Sequence, residues 1–396
     1  MNPVQSSAAQ VLWGPGGAPP MSYCARCVMP AASATPLTYD GNGVCSACRV
    51  AAQKADIDWD RRRRELGDLF QSYRSDGSNY DCIVGVSGGK DSYWQVHVVT
   101  KMFGLKPLLV TYHGNNYLPA GEYNLNRMRE VFDCDHIVVR PGVELLKKMN
   151  RLCFHKMGDM NWHGHCGIFT VPIQVAVRYR VPLIVWGEHG FMELGGMFSH
   201  ADYPEFTAKT RLEHALRGFD WYDMVDEELG IAERDLLWAK YPSDDEVDDT
   251  GARGIYLSNY LGWDASEHGP LMQELYGWQD SPEPFDRTYR RMSNLDDMHE
   301  NGAHDYLKYV KFGYGRATDH ACKDVRSGRM SREEAIEMVR AYDDVRPRDL
   351  IRWLDYVGMS AAEFDRVADG FRDPRVWARD ASGAWVKTSL WDPPAS

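Results

Sequence analysis

The chain has 396 residues, more than one hydrophobic core usually covers, so a main domain with smaller appendages is expected. Apolar residues make up 44% and charged residues 26%, an ordinary balance for a soluble protein, and no run approaches the ~18 consecutive apolar residues of a membrane span. The formal net charge of −12 argues against nucleic acid as a partner, because that affinity draws on cation-to-phosphate contacts.

Residues 1–22, rich in Ala, Pro, Gly and Ser, lack the basic start and continuous apolar stretch of a secretory signal, and are expected to be a flexible extension. Residues 23–53 hold Cys24-x-x-Cys27 and, after seventeen intervening residues, Cys45-x-x-Cys48. Paired Cys-x-x-Cys motifs among an odd total of nine cysteines point to metal binding in a reducing cytoplasm, not to a disulfide framework. Four thiolates at this spacing suit one tetrahedral Zn2+, and the turn Asp40-Gly41-Asn42-Gly43 fits a small knuckle held by metal. Such a closed shell leaves no open position for substrate, so the expected role is structural.

Residues 54–240 read as the main domain. A charged helix is expected over 58–73, and strands over 81–86, 107–112, 136–139 and 182–186. Between them lie amphipathic stretches such as 92–103, where Trp94, Val98 and Met102 share one face. Alternating strands and helices imply a parallel sheet with right-handed crossovers, and ligands at the carboxyl ends of its strands. After about residue 241 the strand signal fades, and 241–396 is expected to be mainly helical. There the acidic run at 244–249 reads as a solvated connection, and Ser331-x-x-Glu334 as a capping box.

The strongest chemical signal follows the first of these strands: Ser87-Gly88-Gly89-Lys90-Asp91-Ser92, with a helix after it. The glycines let backbone approach a phosphate closely, and the amides of the helix start present the positive end of its dipole. Lys90 adds a point charge, Ser87 and Ser92 add hydroxyl donors, and Asp91 is placed to hold Mg2+ against the same phosphates. The spacing departs from the Walker loop. It resembles the loop of the PP-loop ATP pyrophosphatases, which cleave ATP between its α and β phosphates. That resemblance implies an α/β, HUP-like parallel-sheet core that joins AMP to a carbonyl or amide oxygen, after which a nucleophile displaces it.

Neither glutaminase arrangement of such enzymes is present: position 2 is Asn, and no Gly-x-Cys-x-Gly elbow occurs, Gly164-His165-Cys166-Gly167 coming nearest. Ammonia would come from a separate source. The segments Cys24-Ala25-Arg26-Cys27-Val28-Met29-Pro30, Tyr80 through Ser92, Leu105 through Thr111, Pro182 through Glu188 and Lys311-Phe312-Gly313-Tyr314-Gly315-Arg316-Ala317-Thr318-Asp319 together resemble the N-acetyl sugar amidotransferase family of bacterial surface-glycan synthesis, the WbpG and PseA type. The likeness spans about 23–365. It implies a substrate that is an N-acetylated sugar, nucleotide-linked, whose acetamido group becomes acetamidino, in making lipopolysaccharide O-antigen or flagellin glycan. It also implies separate glutaminase and ammonia-channel subunits similar to those of histidine biosynthesis.

Other positions carry paired readings. Glu188, ending a strand, is either a metal or substrate contact or a turn carboxylate. Lys311 and Arg316 either hold pyrophosphate or the anionic part of a sugar nucleotide or form surface salt bridges, and Thr111 and Tyr112 either line the adenine pocket or pack at a strand end. Residues 159–166 crowd Trp162, His163, His165 and Cys166 into a short loop that is either a substrate or ammonia pocket, a metal site, or packing. The runner-up activity is a PP-loop tRNA thiolase, which would use Cys153 or Cys166 as its sulfur carrier but needs a basic face.

Overall fold

The computed structural model describes residues 11–293 and 298–394. Strands β1 (Val11–Leu12) and β2 (Met21–Ser22) precede helices α1 (Ser46–Ala52) and α2 (Trp59–Tyr73). The main domain then runs β3 (Cys82–Gly85), α3 (Lys90–His97), β4 (Pro107–Tyr112), α4 (Pro119–Phe132), β5 (His136–Val139), α5 (Val143–Met157), α6 (Trp162–Tyr179) and β6 (Leu183–Trp186). It continues through α7 (Gly190–Gly195), the single turn α8 (Ala208–Thr210) and α9 (Asp244–Thr250) to β7 (Arg253–Tyr256) and α10 (Ala265–Tyr276). Helices α11 (Met298–Phe312), α12 (Arg316–Arg326), α13 (Arg332–Tyr342), α14 (Asp349–Val357) and α15 (Ala361–Asp369) follow, and strands β8 (Trp377–Arg379) and β9 (Trp385–Lys387) close the chain.

The central sheet has the order β5-β4-β3-β6-β7, every neighbouring pair parallel. Side chains alternate between its two faces: Cys82 and Val84 of β3 enter one core with Leu109, Val185 and Ile255, while Ile83 enters the other with Leu108, Val110 and Ile184. Burial on both faces is why these strands read as continuous apolar runs. From β3 the order runs outward to β4 and β5, then returns to β6 on the other side, so the crevice between β3 and β6 is the switch point where ligands of open α/β sheets bind.

The C-terminal helices dock on this domain through apolar contacts. Leu307, Leu350, Trp353 and Phe364 are buried together with Phe154 of α5, each such side chain contributing roughly 1.5–3 kcal/mol. The Trp353 indole also donates to Asn150 Oδ1 at 2.8 Å, fixing the rotation of α14 on α5. No helix among the described residues is long and apolar enough to cross a membrane.

Four expectations change. Residues 11–22 are not a loose extension: β1 pairs with β2, Leu12 and Met21 pack on Val376 and Trp377, and the Gly14 amide donates to Thr388 Oγ1 at 2.8 Å. Residues 1–10 lie outside the described part. The sheet outruns the boundary at 240, since β7 supplies its edge strand. The acidic run is helix α9, started by a capping box in which Ser243 accepts from the Glu246 amide and the Glu246 carboxylate accepts from Ser243. Residues 162–166 are not a loop but the opening of α6.

Candidate active site

β3 ends at Gly85 and the chain turns through Val86 into the Ser87–Ser92 loop, whose last residues begin α3. Gly88 holds a φ of +83°, and a Cβ there would come within 2.7 Å of the Leu125 backbone nitrogen, so only glycine fits between the loop and α4. The loop is tied by its own hydroxyls: the Ser87 amide donates to Ser92 Oγ at 2.9 Å. From outside, the Trp278 indole donates to the Gly88 carbonyl at 3.0 Å. The turn is thus held by its own hydrogen bonds and by Trp278.

Two adjoining cavities meet at this loop. The smaller, about 270 Å³, is walled by Ser87, Gly89, Lys90, Asp91 and Ser92 on one side and by Glu188, Arg290, Arg316, His320 and Lys323 on the other. The larger, about 420 Å³, shares Ser87, Ser92 and Arg316 and extends between the end of β4 and the start of α6. Of the residues singled out in the sequence, Ser87, Gly89, Lys90, Asp91, Ser92, Glu188 and Arg316 therefore converge on one space, while Gly88 turns the loop against α4.

The electrostatics of the smaller cavity are those of an anion site with an inner carboxylate pair. Lys90 Nζ lies 2.8 Å from Asp91 Oδ2, while Asp91 Oδ1 is buried without a hydrogen-bond partner. Burial raises the Asp91 carboxyl, but Lys90, His268 and Lys323 outweigh it and hold the group below the usual carboxylate range. Lys323 donates to Glu188 Oε2 at 2.6 Å. Its ammonium, disfavoured by burial, is held above its ordinary value by Glu188 and Glu193. Arg316 makes a forked contact with Asp305, 3.0 and 3.1 Å from Nε to the two oxygens, and Arg290 reaches Asp324 at 2.6 Å. His320, hydrogen-bonded to Thr288 Oγ1 at 2.6 Å, is held well below the usual histidine range by burial and by Arg290, Arg316, Lys323 and Lys90. Lys90, Arg290, Arg316 and Lys323 thus bring four cationic side chains to one cavity, a set that suits a polyphosphate.

Arg290, His320 and Lys323 were missed in the sequence. The available signal was spacing: Arg316, His320 and Lys323 stand at i, i+4 and i+7 of α12 and so share a face. Two singled-out residues fall elsewhere. Thr111 does not line either cavity: β4 alternation turns Val110 and Tyr112 toward the larger one, and Thr111 Oγ1 bonds the Val86 carbonyl and His136 Nε2 at 2.6 and 2.8 Å. Lys311 closes α11, and Gly313, at φ +71°, turns the chain before α12, so Lys311 parts from Arg316. Burial pushes its ammonium down to about 8, against the pull of nearby Asp159.

The four cysteines gather as expected. Their sulfurs all lie within 4.8 Å of one another in a fully buried cluster. Backbone amides of Arg26, Cys27 and Cys45 point at Cys24 Sγ at 3.3–3.5 Å, and Arg326 Nη2 lies 3.9 and 4.0 Å from Cys27 and Cys45 Sγ. Four convergent thiols with donors directed at them are the set that holds a tetrahedral metal as thiolates. Cys153 and Cys166 sit in the core, facing Met224 Sδ at 3.6 Å and the Ala239 carbonyl at 3.6 Å, and neither lines the cavities.

A parallel five-stranded sheet whose central strand runs into Ser-Gly-Gly-Lys-Asp-Ser at the switch point, opposite a row of cations, defines a PP-loop ATP pyrophosphatase core. Comparison with known proteins refines this at the C-terminus. Residues 286–390 match the LPS biosynthesis protein WbpG-like, C-terminal domain. An uncharacterized protein of Methanocaldococcus jannaschii is 28% identical over 87 residues, 22% of this chain and 31% of that protein, so the match spans under a third of its length. Among solved structures, an NH3-dependent NAD synthetase from Campylobacter jejuni is 11% identical, covering 49% of this chain and 92% of its own, with a TM-score of 0.28. An NMN synthetase from Francisella tularensis is 12% identical, covering 57% and 89%, with a TM-score of 0.27.

Proposed function

We propose that this chain is an ATP-dependent amidotransferase that adenylates the acetamido oxygen of a nucleotide-linked N-acetyl sugar and replaces it with ammonia, giving an acetamidino sugar for O-antigen or flagellin glycan. One observation carries the reading: the phosphate loop of the core and the cations of the WbpG-like domain face each other across a single cavity. An amide oxygen is a poor leaving group, and joining it to AMP turns it into a good one.

The residues have separable duties. Ser87, Gly89 and Ser92 cradle the phosphates with amides and hydroxyls, and Lys90, Arg290, Arg316 and Lys323 stabilise the charge that grows on departing pyrophosphate. Asp91, with an unpartnered buried oxygen, and Glu188 are the carboxylates fit to hold Mg2+, which when bound would neutralise phosphate charge. Val110 and Tyr112 flank the nucleotide base, and the remainder of the larger cavity takes the sugar. Cys24, Cys27, Cys45 and Cys48 hold Zn2+ in a structural role. Ammonia is delivered by separate glutaminase and channel subunits, and the reaction runs in the cytoplasm, where ATP and reduced thiols coexist. The thiolase alternative lacks a sulfur carrier at the cavity, since Cys153 and Cys166 are spent in the core.

The test is direct. Purified protein is incubated with ATP, Mg2+, ammonium and UDP- or CMP-linked N-acetyl sugars, and products are read by mass spectrometry. The expected outcome is AMP together with a sugar whose mass shifts as oxygen becomes NH. ADP, or AMP without a modified sugar, would sink the reading.

A further inference from the structure

The segment crowded with His163, His165 and Cys166 is resolved by the structure into two packing residues and one that faces substrate space. His163 is fully buried between the Tyr112 hydroxyl at 3.0 Å and Asn150 at 3.2 Å. Cys166 is enclosed by Thr170, Arg211 and the Ala239 carbonyl. His165 alone of the three lines the larger cavity, which also contains Ser87 and Ser92 of the phosphate loop. It does so because Asn161, Gly164, His165 and Ile168, at i, i+3, i+4 and i+7, form the face that the start of α6 turns to that space. Its ring makes no hydrogen bond among the described residues, so its nitrogens are available to a ligand.

What lies behind His165 fixes the ring without occupying it. His304 meets it edge-on, centroids 5.5 Å apart. His304 is itself anchored by Nδ1 to Asp159 Oδ1 at 3.0 Å, and Arg217 pairs with the other oxygen of Asp159 at 2.6 Å. The charge of Asp159 is thereby satisfied within this layer.

Taking the amidotransferase reading as its premise, we propose that His165 is the proton acceptor for ammonia in the second half of the reaction. The nitrogen lone pair forms a bond to the imidate carbon as the carbon–nitrogen π pair moves onto the imidate nitrogen, which keeps the amide proton, giving an –NH3+ group on a tetrahedral centre. His165 takes one proton from that group. The carbon–oxygen bond to AMP then breaks, AMP leaves with the bonding pair, and the amidinium remains. The proton on His165 passes to solvent, and no other reactant is required. Burial, reinforced by His304, Arg217 and His163 against the pull of Asp159, pushes the imidazole down to about 3, so it meets ammonia unprotonated. A base this weak accepts the proton only when the anionic phosphate of the adenylate beside it raises it toward the operating pH, so His165 acts in the adenylate-bound state.

The experiment separates the two half-reactions on the intact protein, with ATP, Mg2+, ammonium and the sugar nucleotide that the wild type converts. His165→Ala and His165→Gln are expected to cut steady-state amidine formation about 100-fold while first-turnover pyrophosphate release stays within about twofold. Added imidazole should restore part of the His165→Ala rate, which a merely packing role would not allow. Unchanged turnover, an equal fall in the pyrophosphate burst, or a correctly folded His165→Ala that imidazole does not help would each overturn the inference. A wild type that releases no pyrophosphate with any sugar would instead sink the amidotransferase reading beneath it.

Discussion

Lys90 and Asp91 are neighbours in sequence that the helix start turns into one device. The Lys90 ammonium lies 2.8 Å from Asp91 Oδ2, and Asp91 Oδ1 is buried with no hydrogen-bond partner. A buried unpaired carboxylate oxygen is costly, so its presence at a loop that already has helix-dipole and amide donors points to a cation ligand and not to packing. Lys90→Ala and Asp91→Ala are each expected to lower AMP release by about 100-fold or more, as loss of an aligned charge stabiliser does. Thermal unfolding should show little change, because both side chains face the cavity and neither fills the core. Wild-type turnover in either variant would remove the loop from the chemistry. These residues were legible in the sequence because loop chemistry is local: glycines, cation and carboxylate stand within six consecutive positions. Thr111 was misplaced because a strand-end position does not reveal which face its side chain takes, and the bond from Thr111 Oγ1 to Val86 decides it.

At the scale of elements, α12 joins two sites that the sequence shows as unrelated. One face brings Arg316, His320 and Lys323 to the phosphate cavity, while Arg326 near its end reaches Cys27 and Cys45 and donates to the Glu193 carbonyl at 2.8 Å. Arg332, opening α13, adds contacts to the carbonyls of Cys24 and Cys27 at 3.4 and 3.2 Å. The cysteine cluster therefore clamps the helix that carries half of the anion site. Removing metal with a chelator, or changing Arg326→Ala, is expected to weaken ATP binding by about 10–100-fold, in the range of outer contacts to a metal site, with Arg326→Lys less affected. Titration calorimetry with ATP reads this, and circular dichroism should show the sheet domain still folded. ATP affinity indifferent to metal would mean that the cluster stabilises only its own knuckle. Strands β3, β4 and β6 were legible because each is a short apolar run buried on both faces, and the edge strand β5 because its Ile137-Val138-Val139 run is apolar although only partly buried. β7 was not: its four residues, Arg253-Gly254-Ile255-Tyr256, open with a charge and a glycine at a sheet edge, where the pattern is weakest. The duty of α12 was hidden for a different reason, since only tertiary packing brings Arg316 and Lys323 to a loop more than two hundred residues earlier in the chain.

On the scale of the whole molecule, neither half makes the site alone. The sheet domain supplies the loop, the switch-point crevice and Glu188, and the C-terminal helices supply the opposing cations and close over the crevice. The larger cavity then extends toward β4 and α6, leaving a space with an anion-binding end and a more apolar, aromatic end beside Phe169 and Trp186. That arrangement suits a substrate that must place one neutral oxygen beside the inner phosphate of ATP while its own body lies away from it. The central claim is that this oxygen comes from the sugar amide, and an isotope decides it. An N-acetyl sugar nucleotide carrying 18O in its acetamido carbonyl, supplied with ATP, Mg2+ and ammonium, should yield AMP in which one phosphate oxygen is 18O and a sugar that has lost the label. Unlabelled AMP beside a still-labelled sugar would contradict the account.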